Sequence, residues 1–205
     1  ALYDIDEALS NLDILYYRYS DDILMIGKDA EKARNLLEEM LKPKGLTLNP
    51  KKVKAIKKNE WFTFLGFKLK GNEITFSDKS IERFKNKIKK ICTRKYPNDR
   101  RYQRMCVKKI NYLLYTAFIT SPKNFGWGEY MFSTVNVEED VRTLDEYVKD
   151  HLKMVYTGQV NHTTNMNKTS NEKLEELGYV SMVHLYKLYK INREVYRTEI
   201  RRLLM

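Results

Sequence analysis

"YYRYSDDILMIG", residues 16–27, sets two carboxylates, Asp21 and Asp22, side by side in an apolar, β-prone stretch. β-Branched and aromatic residues on either side give runs of strand length, residues 14–19 and 23–26, parted only by Ser20, Asp21 and Asp22. The spacing predicts a tight β-hairpin with the aspartates in its turn. One Asp in a turn is ordinary, because its side chain can hydrogen-bond nearby backbone. Two adjacent carboxylates repel each other unless a cation lies between them. Hard divalent cations take oxygen ligands and keep substrate phosphates in their shell. The pair therefore suggests a Mg2+ site, with an exposed, metal-free acidic turn as the alternative.

Working outward, Leu2, Ile5, Leu9 and Leu12 fall at helical spacing and predict a short amphipathic helix before the hairpin. After it, Asp29 is placed to cap a helix whose stripe is Ala33, Leu36, Leu37, Met40 and Leu41, stopped by Pro43 and Gly45. Asn49-Pro50 reads as a turn, and residues 53–57 as a further strand or extended edge. Residues 61–70 and 73–76 predict a second hairpin turning at Gly71-Asn72. Beyond it the pattern is helical. Ser77 or Asp78 caps a helix carrying Ile81, Phe84, Ile88, Ile91 and Cys92 on one face. The other face holds Arg83, Lys85, Lys87, Lys89, Lys90 and Arg94. Further helices are expected over residues 102–118 and 137–155, with a loop at 121–128, an Asn/Thr-rich linker at 157–171 and one or two helices at 172–205. The fold class expected is α+β, with an all-helical second part.

Charge narrows the function. The chain carries 38 Lys+Arg against 27 Asp+Glu, a net +11. Between residues 51 and 109 there are 20 basic and 5 acidic side chains, a local +15, so the remainder sums to −4. Such concentration points to a polyphosphate partner, with solvated helix faces as the plainer alternative. Two cysteines do not make a disulfide framework, which favours a reducing, cytoplasmic setting. No apolar run approaches membrane-spanning length.

Tyr19-Ser20-Asp21-Asp22 on a hairpin tip, preceded by Arg18 and followed by Ile23-Leu24, resembles the catalytic palm motif of reverse transcriptases. The form "RYSDD" is most similar to the bacterial branch: group II intron, retron and phage-defence enzymes. The downstream segments resemble that family in their order too. "GLTLNPKKV" at residues 45–53, where Lys52 matches the motif lysine, comes first, then Phe64-Leu65-Gly66, then a basic helix where the family has its thumb. The resemblance covers about residues 1–155 and implies a partial polymerase palm (1–76), a helical thumb (77–156) and a helical tail (157–205).

The activity implied is RNA-directed DNA synthesis: two-metal nucleotidyl transfer from dNTPs to a primer 3′-hydroxyl, with Mg2+ or Mn2+. By resemblance, Asp21 and Asp22 are the metal ligands and Lys52 stands at the pyrophosphate leaving group. Tyr19, Phe64, Leu65 and Gly66 hold the primer end. Arg83, Lys85, Lys87, Lys89, Lys90 and Arg94 lie on the backbone of the primer–template. Partners would be an RNA template and a DNA or RNA primer. The family's fingers and its third metal-binding aspartate lie upstream of the hairpin, so the chain is expected to need an upstream segment, in the same or another polypeptide, and to be inactive by itself. Asp4 and Asp6 lie too near the hairpin to be assigned as that third ligand. The competing readings are a template-independent defence-type polymerase, a non-catalytic nucleic-acid-binding module, and an interaction domain that docks an acidic protein.

Overall fold

In the computed structural model, which describes residues 2–93, 99–115, 127–158 and 169–204, strand β1 (Leu15–Tyr19) pairs antiparallel with β2 (Asp22–Ile26). Leu15 stands opposite Ile26 and Tyr19 opposite Asp22. That register leaves Ser20 and Asp21 as a two-residue turn, so Asp22 opens the second strand rather than sharing the turn. Hairpins favour two-residue turns with positive φ at the first central position; Ser20 takes φ 56°.

A two-stranded ribbon is marginal alone. This one is backed by helix α1 (Tyr3–Ser10) and helix α2 (Ala30–Leu41). Ile5, Leu9, Ala33, Leu37 and Leu41 form their core, and Ile14, Tyr16, Ile23 and Met25 of the ribbon pack on it. Strand alternation sends Leu15, Tyr17, Tyr19 and Ile26 to the opposite face, where they are exposed. At the end of β2 a side chain is excluded: a Cβ on Gly27 would lie 2.8 Å from the Asp13 carbonyl.

Helix α2 runs into a 3-10 turn, Lys42–Lys44, and ends where Gly45 adopts φ 69°. Asp29 sits at the N-cap of α2 but its side chain makes no cap hydrogen bond. Of the strand or extended edge expected at residues 53–57, no strand forms. The Asn49 carbonyl accepts from the amides of Lys52 and Val53, and its side chain accepts from the Lys51 amide, so the chain curls there. Residues 53–57 are exposed and irregular. Strand β3 (Phe62–Phe64) closes the first of two compact units, Ala1–Leu65.

The second unit, Gly66–Met205, begins with a hairpin of β4 (Phe67–Lys70) and β5 (Glu73–Phe76), turning at Gly71-Asn72 as the sequence suggests. Helix α3 (Asp78–Ile91) follows at once. Ser77 caps it: its Oγ accepts from the Ser80 amide. Then come α4 (Arg100–Tyr115), α5 (Trp127–Thr134), α6 (Glu138–Thr157), α7 (Asn171–Glu176), α8 (Met182–Ile191) and α9 (Arg193–Leu204). The division between the two units falls at Leu65–Gly66. Among the described residues no helix is long and apolar enough to cross a membrane.

Two departures from the helical reading have identifiable causes. From Trp127 the expected loop is already helix; Trp127 stacks on Phe84 at 4.3 Å and on Phe76 at 5.8 Å. Gly128 lets α5 approach α4, since a Cβ there would meet the Leu114 carbonyl at 2.8 Å. The C-terminal stretch gives three helices because Asn192 leaves helical geometry and caps α9, its Oδ1 accepting from the amides of Glu194 and Val195. Those helices are not a separate layer: Tyr179, Met182, Leu185, Tyr196 and Ile200 share one core with Phe84, Ile110, Phe132 and Val148. Of the residues expected inward on the second helix, Ala117 and Phe118 lie outside the described residues, as does most of the expected 157–171 linker.

Candidate functional site

Asp21 and Asp22 stand at the tip of the β1–β2 ribbon, both exposed, and no described residue gives either carboxylate a hydrogen bond or ion pair. Two acids of α1, by contrast, are engaged. Asp6 binds Arg18, and Asp4 lies 2.9 Å from the Lys44 ammonium. The ribbon brings Tyr19 to the Asp22 carboxylate's side, because the two are directly opposed and so share a face. Tyr19 is 68 % exposed.

The donor set suits a hard cation but is partial. Two carboxylates supply the oxygen ligands that Mg2+ and Mn2+ take. Among the described residues no group of three or more His, Cys, Asp or Glu side chains gathers to complete a cage. Lys52 is exposed in the turn begun by Asn49, in the same unit, and no described contact joins it to the aspartates.

Phe64 ends β3, and Leu65 and Gly66 form the bend after it with φ 49° and 88°. Positive φ suits glycine, and at Leu65 it is uncommon. The second unit grips the Gly66 carbonyl, which accepts from the Ser77 amide at 3.1 Å and from Ser80 Oγ at 2.9 Å. The start of α3 therefore fixes where Gly66 presents its backbone.

On α3, Arg83, Lys87, Lys89 and Lys90 are exposed. Arg83, Lys87 and Lys90 follow one another at helical spacing and have no acidic partner among the described residues. Lys85 points elsewhere: it is half-buried, its ammonium 5.0 Å from the centre of the Tyr147 ring on α6, a cation–π contact. Arg94 lies outside the described residues.

Two further groups stand out in the folded chain. One is a stripe on α4, with Arg101, Arg104, Lys108 and Tyr112 exposed at three- and four-residue spacing; Tyr112 is 62 % exposed. Basic residues interleaved with an aromatic at helical period are the signal that marks it in the sequence. The other is Arg18, to which the motif resemblance gives no task. Its partner, Asp6, lies on α1, and no linear pattern joins the two; only the folded ribbon brings them together.

Compared with known protein families the chain matches none, and no curated protein matches it.

Proposed function

We propose that this chain is the catalytic-tip and thumb portion of an RNA-directed DNA polymerase, completed by an upstream segment in the same or another polypeptide. The observation that carries the reading is the pair of exposed carboxylates, without a partner among the described residues, on a ribbon packed against the α1–α2 core. Adjacent anions left without cations are unfavourable by themselves, and a divalent ion with its water and phosphate ligands relieves them. Held there, two such ions would supply charge neutralisation at the attacking and leaving oxygens of a phosphoryl displacement.

The chain's own residues then have distinct tasks. Asp21 and Asp22 hold the ligand positions. Tyr19 offers an exposed ring beside Asp22 against which a primer-end nucleoside can stack. The Gly66 backbone, fixed by Ser77 and Ser80, approaches a primer strand where a side chain would obstruct it. Lys52 meets a departing pyrophosphate, and Arg83, Lys87, Lys89 and Lys90 neutralise phosphates without reading sequence.

The test is dNTP incorporation on a primed RNA template by the chain supplied with its upstream segment in the presence of Mg2+ or Mn2+. Template-dependent extension is expected. Template-independent extension would point to the defence-type alternative, and binding without extension to a non-catalytic module, which the exposed α3 stripe alone would support.

The stripe makes a separate prediction. Replacing Arg83, Lys87 and Lys90 together by glutamine should lower the slope of log affinity against log salt for a primer–template by about one per residue, about three in all. Fluorescence anisotropy across a salt series measures it. An unchanged slope would mean that this face of α3 meets only solvent.

A further inference from the structure

We propose that Arg18 is a positioning residue for the aspartate tip: anchored on α1, its guanidinium grips the Ser20 carbonyl and sets the direction in which Asp21 and Asp22 leave the ribbon. The proposal rests on the reading of those aspartates as cation ligands.

The geometry is a fork with two ends. Arg18 Nε donates to Asp6 Oδ1 at 2.7 Å and its NH2 to Asp6 Oδ2 at 2.5 Å, so the Asp6 carboxylate takes the guanidinium edge bidentately. The remaining amino group, NH1, donates to the Ser20 carbonyl at 3.1 Å. Tyr16 completes the anchor, its hydroxyl donating to Asp6 Oδ1 at 2.7 Å. A planar, rigid guanidinium joins a helix side chain to a turn carbonyl in one piece, which an ammonium cannot do. The carbonyl it holds belongs to the residue with φ 56°, a backbone state that serine seldom adopts unaided. Ser20 immediately precedes Asp21, so the orientation of that peptide fixes where the first carboxylate points.

The anchor does not titrate in ordinary conditions. The Arg18 hydrogen bonds hold the Asp6 carboxyl down to about 2, and burial, with the Asp6 charge, pushes the Tyr16 phenol up to about 12. Asp6 is therefore anionic at every pH where a polymerase works, and its contribution fades only as pH falls towards its lowered value. The grip on Ser20 is constant, as a positioning device needs to be.

Charge and position predict opposite signs for one variant. A guanidinium close to a divalent-cation site repels the ion, so on charge alone Arg18→Ala would tighten Mn2+ binding. If Arg18 positions the carboxylates, Arg18→Ala loosens it by about tenfold, the scale on which outer supports act on metal affinity. Arg18→Lys keeps the charge and can reach Asp6 but cannot also span to Ser20, so it should lose nearly as much. The measurement is a Mn2+ titration of the chain followed by paramagnetic broadening of the amides of residues 19–23. Tighter or unchanged binding in Arg18→Ala overturns the proposal, as does full retention in Arg18→Lys.

A second readout separates this inference from the cation reading. In Arg18→Lys, 15N order parameters at Ser20 and Asp21 are expected to fall from the rigid range, about 0.85, to below about 0.6, while Tyr17 and Leu24 stay rigid. Wild-type protein with no broadening at the tip would sink the cation reading, and the order parameters would still decide whether Arg18 holds the turn. A turn that stays rigid in Arg18→Lys overturns the proposal whatever the metal does. Should Arg18→Ala unfold the ribbon, Arg18→Lys carries both measurements.

Discussion

Asp21→Asn is expected to remove nucleotide incorporation by about a thousandfold or more, while primer–template affinity changes by less than about twofold. The amide keeps the shape of the carboxylate and removes its charge, so the ribbon has no reason to move: Asp21 is exposed and no described residue depends on it. What disappears is one of the two anionic carboxylates that the tip offers. Losing a ligand to an ion that stabilises developing charge costs several kcal/mol of barrier, and each 1.36 kcal/mol is about tenfold in rate. On the proposed reading, duplex affinity would come from phosphate contacts at the basic helices and would not pass through Asp21. Single-turnover extension with saturating enzyme separates the two quantities. Activity within about tenfold of wild type would remove the metal-ligand role from Asp21; a parallel collapse of duplex affinity would make the tip a binding element instead.

The parts of this fold that a sequence pattern can carry are those with a period or a local stop. The β1–β2 hairpin was legible because alternation and a turn signal coincide at residues 14–26, and the α2 end because Pro43 and Gly45 mark it. The basic face of α3 was legible as a run, yet not in detail. Lys85 sits among Arg83, Lys87 and Lys89 in sequence, but turns towards Tyr147, which is distant along the chain. Residues 53–57 read as a strand or extended edge; no strand pairs there, because a strand needs a neighbour and Asn49 curls the chain first. Trp127 read as loop because glycines flank it; the stacking with Phe76 and Phe84 that makes it a helix start is a long-range contact. The candidate site divides in the same way. Its carboxylates are adjacent in sequence and announce themselves, whereas Arg18 acquires a task only when the chain between it and Asp6 has folded.

The most costly single substitution in the second unit should be one with no part in the candidate site. Asp145→Ala is expected to remove about 3–5 kcal/mol of that unit's stability. Asp145 lies on α6, 1 % exposed, and its carboxylate is saturated. Oδ1 accepts from the Tyr179 hydroxyl at 2.6 Å and from the Met182 amide at 2.7 Å. Oδ2 accepts from Ser181 Oγ at 2.9 Å and lies 2.7 Å from the Lys149 ammonium. Met182 is the first residue of α8, so a buried anion meets the positive end of that helix and satisfies a donor the helix cannot satisfy itself. Burial, reinforced by the Asp145 charge, pushes the Tyr179 phenol well above its ordinary value, which keeps it the donor in this bond. Alanine would leave the phenol, the amide and the ammonium facing a cavity, and a buried donor without a partner carries its full desolvation cost. Asp145→Asn, which keeps the shape and one acceptor, should cost about half as much. Because the chain divides into two compact units, the readout is Trp127 fluorescence in a Trp61→Phe background, which reports the second unit's core alone. At about 3 °C per kcal/mol for a unit of this size, the midpoint should fall by roughly 10–15 °C. A loss below about 1 kcal/mol would mean that water replaces the carboxylate without penalty, and that α8 is held to α6 by its apolar face, Met182 and Leu185, rather than by this anion.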